Sequence, residues 1–337
     1  MNVTLLLLMV RSAYARIITR ASDSVRTIAI VNLTSNIGDM ICTTPLFRVV
    51  RESNPMARVI VVGSSKNKLL LAGSPDVDVY IEAPTTSAAI RALSTYRPDV
   101  GVATNPSPYE LGILYCAGAR RVTVFDSPLF ASRAFRIMRR WAIRVAYTPG
   151  EFVPGALLRL LAPFDITSTD SARHLAVDPV VRDRVRQAYR APYAAIAPRA
   201  GHAFKEWPRA RFESLAEHVR ARGITPVWTD SVTTLEELKA LVAGATIAIS
   251  NDSGVAQIAE AFNVPTLVIA GATDWGEHHV DRPLHRVVHA TGDIATRSFV
   301  SDHTAVNEAK ALAQMESITF EQVRTVCDEV LALVHKP

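Results

Sequence analysis

Residues 245–262 read ATIAISNDSGVAQIAEAF, and this stretch decides the fold that we predict. Its first five residues are small or β-branched, which is typical of a short buried strand. From Val255 to Phe262 the apolar residues recur at helical spacing. The polar residues 251–254 therefore join the end of a strand to the start of a helix.

This strand-to-helix turn has the chemistry of an anion-binding site. The first N–H groups of a helix lack intrahelical partners, and the helix dipole is positive there, so phosphates bind at such points. In a parallel α/β domain, ligands also bind at the carboxyl ends of the strands. Asp252 or Ser253 would be the N-cap of the helix. Most α/β domains contain several capped turns, so on this stretch alone an ordinary structural turn is the simpler interpretation.

Short apolar strands alternate with helical segments along the rest of the chain. The other predicted strands cover residues 27–31, 58–63, 77–82, 99–104, 121–125, 194–197, 225–228, 266–270 and 286–289. Repeated β-α alternation indicates parallel sheets covered by helices on both faces. A polar stretch at residues 165–176 separates two such series. The predicted fold class is α/β, with two Rossmann-like doubly wound domains.

We expect five segments along the chain: an N-terminal amphipathic segment (1–24), a first domain (25–165), a linker (166–190), a second domain (191–316) and a C-terminal helix (317–337). The first segment has an apolar run at residues 3–10, followed by Arg11, Arg16 and Arg20. This pattern fits either a helix lying on a membrane surface or a packed N-terminal helix. Thr319 and Gln322 form a possible capping box at the start of the C-terminal helix.

Composition limits the class of protein. A chain of 337 residues with 49% hydrophobic and 20% charged residues builds sizeable cores and is not disordered. A formal charge of +5 fits an acidic partner such as a nucleotide, a phosphorylated lipid or an anionic membrane, and is too small to argue for nucleic acid. The three cysteines show no metal or redox spacing, which favours a reducing compartment.

A basic helix is predicted at residues 133–145. Four arginines share one helical face, and apolar residues that include Trp141 share a neighbouring face. Such a helix suits a membrane interface or an anionic acceptor. It is equally consistent with an ordinary surface helix whose tryptophan lies in the core. The arginines are Arg133, Arg136, Arg140 and Arg144.

A second strand-to-helix turn contains Asn36, Ile37, Gly38 and Asp39. Gly38 permits close approach of the backbone, and the helix dipole stabilises the negative charge of Asp39. Asp39 would serve as a general base if an alcohol were held against it. By itself, however, this residue is better explained as an ordinary carboxylate at a helix start.

A third turn, at residues 198–208, offers donors to a phosphate from Arg199, His202 and Lys205, while Gly201 lets the backbone approach. It matches neither the Walker loop nor the dinucleotide-binding glycine pattern. A solvated basic loop is the alternative.

A cluster of potential metal ligands lies further along the chain, at residues 277–281. It consists of Glu277, His278, His279 and Asp281. Their spacing matches no known metal site, so we expect a solvent-exposed loop and no metal.

Together and in this order, the turns resemble those of glycosyltransferase family 9, the bacterial heptosyltransferases. The resemblance runs from about Thr27 to about His289, and the order of the motifs is more specific than any one of them. The motifs are residues 37–39 with 43–46, residues 205–208, residues 251–254 and residues 271–274.

The resemblance implies a GT-B fold, in which two Rossmann-like domains face each other across a cleft and the C-terminal helix crosses back onto the first. The second domain would bind a nucleotide-diphospho-sugar, typically ADP-heptose, without a metal or other cofactor. The first would bind a lipopolysaccharide-core or other lipid-linked glycan acceptor. The reaction would invert the configuration at the anomeric carbon. The protein would be cytoplasmic, or peripheral on the inner membrane, with no nucleic-acid partner.

The resemblance also assigns roles to residues. Asp39 matches the catalytic base, and Lys205 matches the lysine that neutralises the diphosphate. The diphosphate-binding turn comprises Asp252, Ser253, Gly254 and Val255. Weaker nucleotide-site candidates are Arg199, Gly201, His202, Asp230 and Gln257. Weaker acceptor or membrane candidates are Gly38, Arg120, Arg121, Arg136 and Arg140.

Two departures from the family pattern concern the nucleotide pocket. Gln257 stands where family members usually carry a histidine. The segment after Trp228 lacks the helix and strand that normally follow, and with them the glutamate that holds the ribose, so Asp230 is the acidic residue placed to substitute. The alternatives are a nucleotide-sugar 2-epimerase of the same fold and a non-catalytic glycan-binding or interaction protein.

Overall fold

The computed structural model describes residues 25–127, 132–190, 192–271, 273–292 and 307–334. The chain divides into two compact units, Met1–Ala172 and Arg173–Pro337. The division falls inside the segment 166–190, which we expected to be the linker. The N-terminal segment 1–24 and most of the 290–315 region, where we expected a loop followed by a short helix, lie outside the described residues.

The first unit is built on a six-stranded sheet. Its strands are β1 (Thr27–Val31), β2 (Arg58–Gly63), β3 (Val79–Glu82), β4 (Val100–Ala103), β5 (Arg121–Asp126) and β6 (Ile143–Ala146). Its described α-helices are α1 (Ile37–Ser53), α2 (Ser65–Leu70), α3 (Thr86–Ser94), α4 (Pro108–Cys116), α5 (Arg133–Met138) and α6 (Val153–Leu158). The order across the sheet is β3-β2-β1-β4-β5-β6, with every pair parallel.

The second unit repeats this plan with five strands. These are β7 (Tyr193–Ala197), β8 (Thr225–Trp228), β9 (Ile247–Asn251), β10 (Thr266–Ala270) and β11 (His285–His289). Its described α-helices are α7 (Pro179–Ala188), α8 (Arg209–Arg220), α9 (Leu235–Ala243), α10 (Gly254–Ala261), α11 (Glu308–Ser317) and α12 (Phe320–Val334). The order is β11-β10-β9-β7-β8, again all parallel. The predicted α/β class with two doubly wound parallel sheets is confirmed.

Both sheets wind outward in two directions from a central pair of strands. That pair is β1 and β4 in the first unit, and β7 and β9 in the second. Ligands of open parallel sheets bind at this switch point, beyond the carboxyl ends of the strands. The turns that follow β1, β7 and β9 lie at the switch points, and these are the three turns that the sequence singled out.

The core of the second unit explains the pattern of its C-terminal helix. Trp207 and Phe212 pack edge to face, with ring centroids 5.3 Å apart. The buried face of α12 joins this core through Val323, Val330 and neighbouring residues. The predicted capping box is confirmed, because Thr319 Oγ1 accepts from Gln322 N (3.3 Å) and Gln322 Oε1 accepts from Thr319 N (2.8 Å). That α12 also crosses back onto the first unit stays a prediction.

The predicted basic helix at residues 133–145 is wrong. Helix α5 ends at Met138, a single 3₁₀ turn follows at Arg139–Trp141, and the chain then extends into β6. The β-branched residues Ile143 and Val145 pair with Thr123 and Phe125 of β5, so sheet hydrogen bonds replace further helical turns. The arginines of this segment therefore do not share one helical face.

Candidate functional site

The β1–α1 turn holds Asp39 in a defined orientation. Helix α1 begins at Ile37, so Asp39 lies in its first turn. Its Oδ2 accepts hydrogen bonds from Thr34 Oγ1 (2.9 Å) and Asn36 Nδ2 (3.3 Å). Asp39 is half-buried. The structure thus holds a partly exposed, oriented carboxylate at the switch point of the first sheet, as a general base requires. Gly38 precedes it in the same turn of helix.

Glu110 is a buried carboxyl group that the sequence analysis did not identify. It connects the segments that follow the two central strands of this unit, β1 and β4. Glu110 of α4 accepts from Leu33 N and Asn105 Nδ2 through Oε1, and from Asn105 N through Oε2, all at 3.0 Å. Glu110 is 1% exposed. Burial raises its pKa to about 7 despite the hydrogen bonds from Leu33 and Asn105. A charged residue within the apolar helix sequence PYELGILYC was the available signal.

The β9–α10 turn has the predicted capped geometry. Ser253 is the N-cap: its Oγ accepts from Val255 N (3.3 Å) and lies 3.0 Å from Ser250 Oγ. Gly254 is the first residue of α10. Asp252 is buried, and its Oδ2 lies 3.3 Å from Lys205 Nζ. The structure therefore brings Lys205 to the start of α10.

Asn251 explains why the 198–208 loop lies against this turn. Its side chain is fully buried and ties the two ends of the loop. Oδ1 accepts from Trp207 N (2.9 Å), and Nδ2 donates to Pro198 O (2.8 Å). Trp207 is itself anchored in the core, where its Nε1 donates to Ile318 O (2.8 Å). Lys205 is thus held between two fixed points.

A buried charge chain continues from Asp252 into the interior. It consists of Lys205, Asp252, His279, Glu260 and Arg173, in that order. His279 Nε2 lies 3.1 Å from Asp252 Oδ1, and Nδ1 lies 2.5 Å from Glu260 Oε1. Glu260 also forms an ion pair with Arg173. Because both ring nitrogens of His279 face carboxylate oxygens, both carry a proton and the ring is a cation.

The charge chain overturns one sequence expectation. Residues 277–281 were expected to form an exposed loop, yet Glu277 and His279 are buried. The loop turns inward because the imidazole of His279 bridges two carboxylates, Asp252 and Glu260. The remaining members of that cluster behave differently: His278 is half-buried, and Asp281 is exposed and pairs with Arg286 (3.0 Å).

The imidazole and both carboxylates of the chain are charged near neutral pH. Burial alone would lower the pKa of His279, but Glu260 and Asp252 raise it to about 9. Burial alone would raise the pKa of Asp252, but Lys205 and His279 hold it well below its usual range. For Glu260 the burial effect is outweighed by His279 and Arg173, which lower its pKa to about 2. Three cations thus face two anions.

Comparisons with known proteins find similarity to one glycosyltransferase family. The family model described as glycosyltransferase family 9 (heptosyltransferase) matches residues 231–298, which include the β9–α10 turn and His279. Lipopolysaccharide heptosyltransferase 3 of Escherichia coli is 24% identical over 279 residues, which are 70% of this chain and 81% of that protein. Over residues 231–298 the chain is similar to glycosyltransferase family 9. It is homologous to lipopolysaccharide heptosyltransferases, which are glycosyltransferases.

Solved structures of similar proteins show the fold of this chain. A glycosyl transferase family 9 protein from Veillonella parvula DSM 2008 matches with a TM-score of 0.70 at 16% identity, over 93% of this chain and 100% of that one. The E. coli heptosyltransferase WaaC with ADP matches with a TM-score of 0.69 at 14% identity, over 90% and 99%. The fold is GT-B, as expected.

The other basic residues of the 198–208 loop make contacts elsewhere. Arg199 is exposed and pairs with Glu206 (3.3 Å). The exposed ring of His202 stacks on Phe204, with centroids 5.0 Å apart. A Cβ placed on Gly201 would meet no heavy atom within 4 Å, so the space beside it is open. Their role at a nucleotide stays a prediction.

The shortened segment after Trp228 is confirmed. A single 3₁₀ turn, Thr229–Ser231, separates β8 from the α9 region, and β8 is the edge of its sheet. Asp230 pairs with Arg209 (3.2 Å), and the Arg209 guanidinium lies over the Trp228 ring, 3.9 Å from its centroid. The carboxylate expected to hold a ribose is therefore engaged by Arg209. Gln257 lies buried in α10.

The acceptor-side arginines fall into two groups. Arg120 and Arg121 make contacts within the first unit: the former pairs with Asp99 (3.3 Å), and the latter lies over the Phe164 ring (5.1 Å). Arg133, Arg136, Arg140 and Arg144 are exposed.

The described residues lack two kinds of feature, a membrane-spanning helix and a metal-binding cluster. They contain no helix long and apolar enough to cross a membrane. They also contain no group of three or more His, Cys, Asp or Glu side chains that would hold a metal ion.

Proposed function

We propose that this chain transfers heptose, or another sugar, from a nucleotide-diphosphate donor to a lipopolysaccharide-type or other cell-envelope glycan. ADP-heptose is the first donor to test. The observation that carries the proposal is the pairing of Lys205 with the capped start of α10 at the switch point of the second sheet. A cation beside the first N–H groups of a helix is suited to a diphosphate.

The proposed reaction is an inverting displacement at the anomeric carbon. Asp39 accepts the proton of the acceptor hydroxyl, and the resulting oxygen nucleophile attacks the anomeric carbon as the bond to the diphosphate breaks. Lys205, the Ser253 hydroxyl and the N–H groups of Gly254 and Val255 stabilise the negative charge of the departing nucleoside diphosphate. We infer that no metal ion is required, so transfer should persist in the presence of a chelator.

The family relationship and the intact site favour this function over the alternatives that the sequence left open. Asp39 is oriented by two hydrogen bonds, and the β9–α10 turn keeps its cap and its lysine. A non-catalytic binding protein has no need of an oriented base. For the acceptor side we propose peripheral contact of the first unit with the cytoplasmic face of the inner membrane, through its exposed arginines.

A transfer assay with an Asp39→Ala variant tests the function. The wild type should release ADP from ADP-heptose only when a lipopolysaccharide-core acceptor is present. General-base removal should reduce the rate by about 10²- to 10⁴-fold, while calorimetry should show unchanged ADP binding. Glu52→Ala is the matched control, because Glu52 is an exposed carboxylate at the other end of α1. An Asp39→Ala variant that transfers at the wild-type rate disproves the base assignment.

Donor choice is a separate question, because the nucleotide pocket is shortened beside Trp228. Calorimetric titration with ADP, UDP, GDP and their sugars would identify the nucleotide. We expect ADP to bind most tightly. Binding of none of them would contradict the proposed function and favour the non-catalytic alternative.

A further inference from the structure

The buried charge chain behind the β9–α10 turn reaches the surface at one of its five members. The Lys205 side chain is 22% exposed, whereas those of Asp252 and His279 are 4% and 0% exposed. Glu260 and Arg173 are also largely buried. Buried charges are stable only when paired. Asp252, His279 and Glu260, which lie between Lys205 and Arg173, therefore do not serve solubility or a surface ion pair.

The pairing within the chain decides how much charge Lys205 can offer. Arg173 neutralises Glu260, and His279 bridges Glu260 and Asp252. Asp252 Oδ1 faces His279, while Oδ2 accepts from Thr273 Oγ1 (2.5 Å) and lies near Lys205. Without a cation at position 279, Asp252 would be a desolvated anion whose nearest cation is Lys205, and the two charges would cancel.

We propose that His279 is a positioning residue for the donor: as an imidazolium it neutralises Asp252, so that the positive charge of Lys205 stays available to the diphosphate. This proposal rests on the proposed function, because it takes the diphosphate of a nucleotide-sugar as the anion. His279 itself is buried and acts through Asp252. With His279 charged, the five groups carry three positive charges and two negative ones, and Lys205 is the most exposed of them.

A double-mutant cycle on the full chain tests this role, with ADP as the probe at pH 7.5. Lys205→Ala should weaken ADP binding by tenfold or more. His279→Gln keeps a donor toward Asp252 but removes the charge, so it should weaken binding about tenfold in the wild type. In the Lys205→Ala background the same change should cost less than twofold, because there is no lysine charge left to release.

His218→Gln is the matched control. His218 also pairs with a carboxylate, Asp328, at 2.8 Å, but it lies near the end of α8 that is remote from the switch point. It should lower thermal stability without changing ADP affinity. A purely structural role for His279 would reduce ADP binding by the same factor in both backgrounds, and that result would overturn the proposal.

The pH dependence of ADP binding gives a second readout if His279→Gln fails to fold. His279 loses its proton near pH 9, so the affinity of the folded wild type should fall as pH rises from 7.5 to 9.5. A Lys205→Arg variant, whose guanidinium does not titrate in this range, should show the same fall. Constant affinity in that variant would overturn the proposal.

The other groups around His279 do not titrate in this window. Burial lowers the pKa of His278 and of His285 to about 4, so both are neutral throughout. The carboxylates stay ionised, since the pKa values of Asp252 and Glu260 are lowered. Arg173 also faces this cluster, through its ion pair with Glu260.

The outcomes separate this proposal from the proposed function. If Lys205→Ala binds ADP as tightly as the wild type, the diphosphate site is wrong, and the role of His279 is wrong with it. If Lys205→Ala weakens binding and His279→Gln does not, the role of His279 alone is wrong.

Discussion

Replacing Asn251 by alanine should both destabilise the second unit and weaken ADP binding. The Asn251 side chain is fully buried and makes two hydrogen bonds, from Trp207 N at 2.9 Å and to Pro198 O at 2.8 Å. Asn251→Ala leaves a buried N–H and a buried carbonyl without this partner. Each orphaned group costs about 1–3 kcal/mol, so the free energy of unfolding should fall by roughly 2–6 kcal/mol.

The same substitution releases the loop that carries Lys205. Both loop ends lose their tether, so Lys205 must be ordered again when the diphosphate binds. We expect a loss of ADP affinity of about tenfold, equivalent to about 1.4 kcal/mol. Calorimetry at a temperature where the variant remains folded measures this loss of ADP affinity separately from the loss of stability.

Urea unfolding followed by tryptophan fluorescence measures the fall in the free energy of unfolding. Trp207, Trp228 and Trp275 lie in the second unit, and Trp141 lies in the first, so the signal reports mainly on the second unit. Asn67→Ala is the matched control: Asn67 is equally buried and donates to Thr34 O at 2.8 Å, but it lies in the first unit. It should leave ADP binding unchanged. An Asn251→Ala protein with wild-type stability and wild-type ADP affinity would refute the reasoning.

Three further predictions follow from the described contacts. The pKa of Glu110 in the folded state, about 7, lies above the unfolded value of 4.5, so the unfolding free energy should fall by roughly 3 kcal/mol as pH rises from 4.5 to 7. Glu110→Gln should remove this slope in urea titrations followed by circular dichroism, and a slope that is unchanged in the variant would contradict the assignment. In Gly271→Ala the new Cβ would lie 2.2 Å from Met315 Sδ and 3.1 Å from its Cα, so the melting temperature should fall by an amount corresponding to about 1–3 kcal/mol. Gly155→Ala, whose nearest contact would be 3.7 Å, is the control and should not lower it. The double substitution Arg136→Glu/Arg140→Glu should reduce cosedimentation with anionic vesicles at low salt, and equal binding by both proteins would exclude these arginines from membrane contact.

Local patterns in the sequence were sufficient for the architecture and for the three turns. Apolar runs of four to six residues predicted the central strands, because strands buried on both faces carry few polar residues. The Asn-Asp-Ser-Gly turn predicted a capped helix start, because capping depends on residues two or three positions apart. Asp39 and Lys205 were found in the same way, from their places next to a strand end or within a loop.

Predictions from the sequence were wrong where distant parts of the chain form a residue's environment. Residues 133–145 have helical periodicity, yet pairing with β5 draws residues 143–146 into an edge strand. Sequence periodicity cannot record a neighbouring strand, and strand propensity depends on packing against that neighbour.

The charge chain shows most clearly what only tertiary structure decided. The sequence by itself determined two parallel α/β units with a capped strand-to-helix turn and a lysine in an earlier loop. His279 was assigned to an exposed loop, because its spacing resembles no known motif. Its partners Asp252 and Glu260 are 27 and 19 residues away, and Arg173 is 87 residues from Glu260. Burying one such charge is unfavourable by itself and becomes stable only when folding brings opposite charges together.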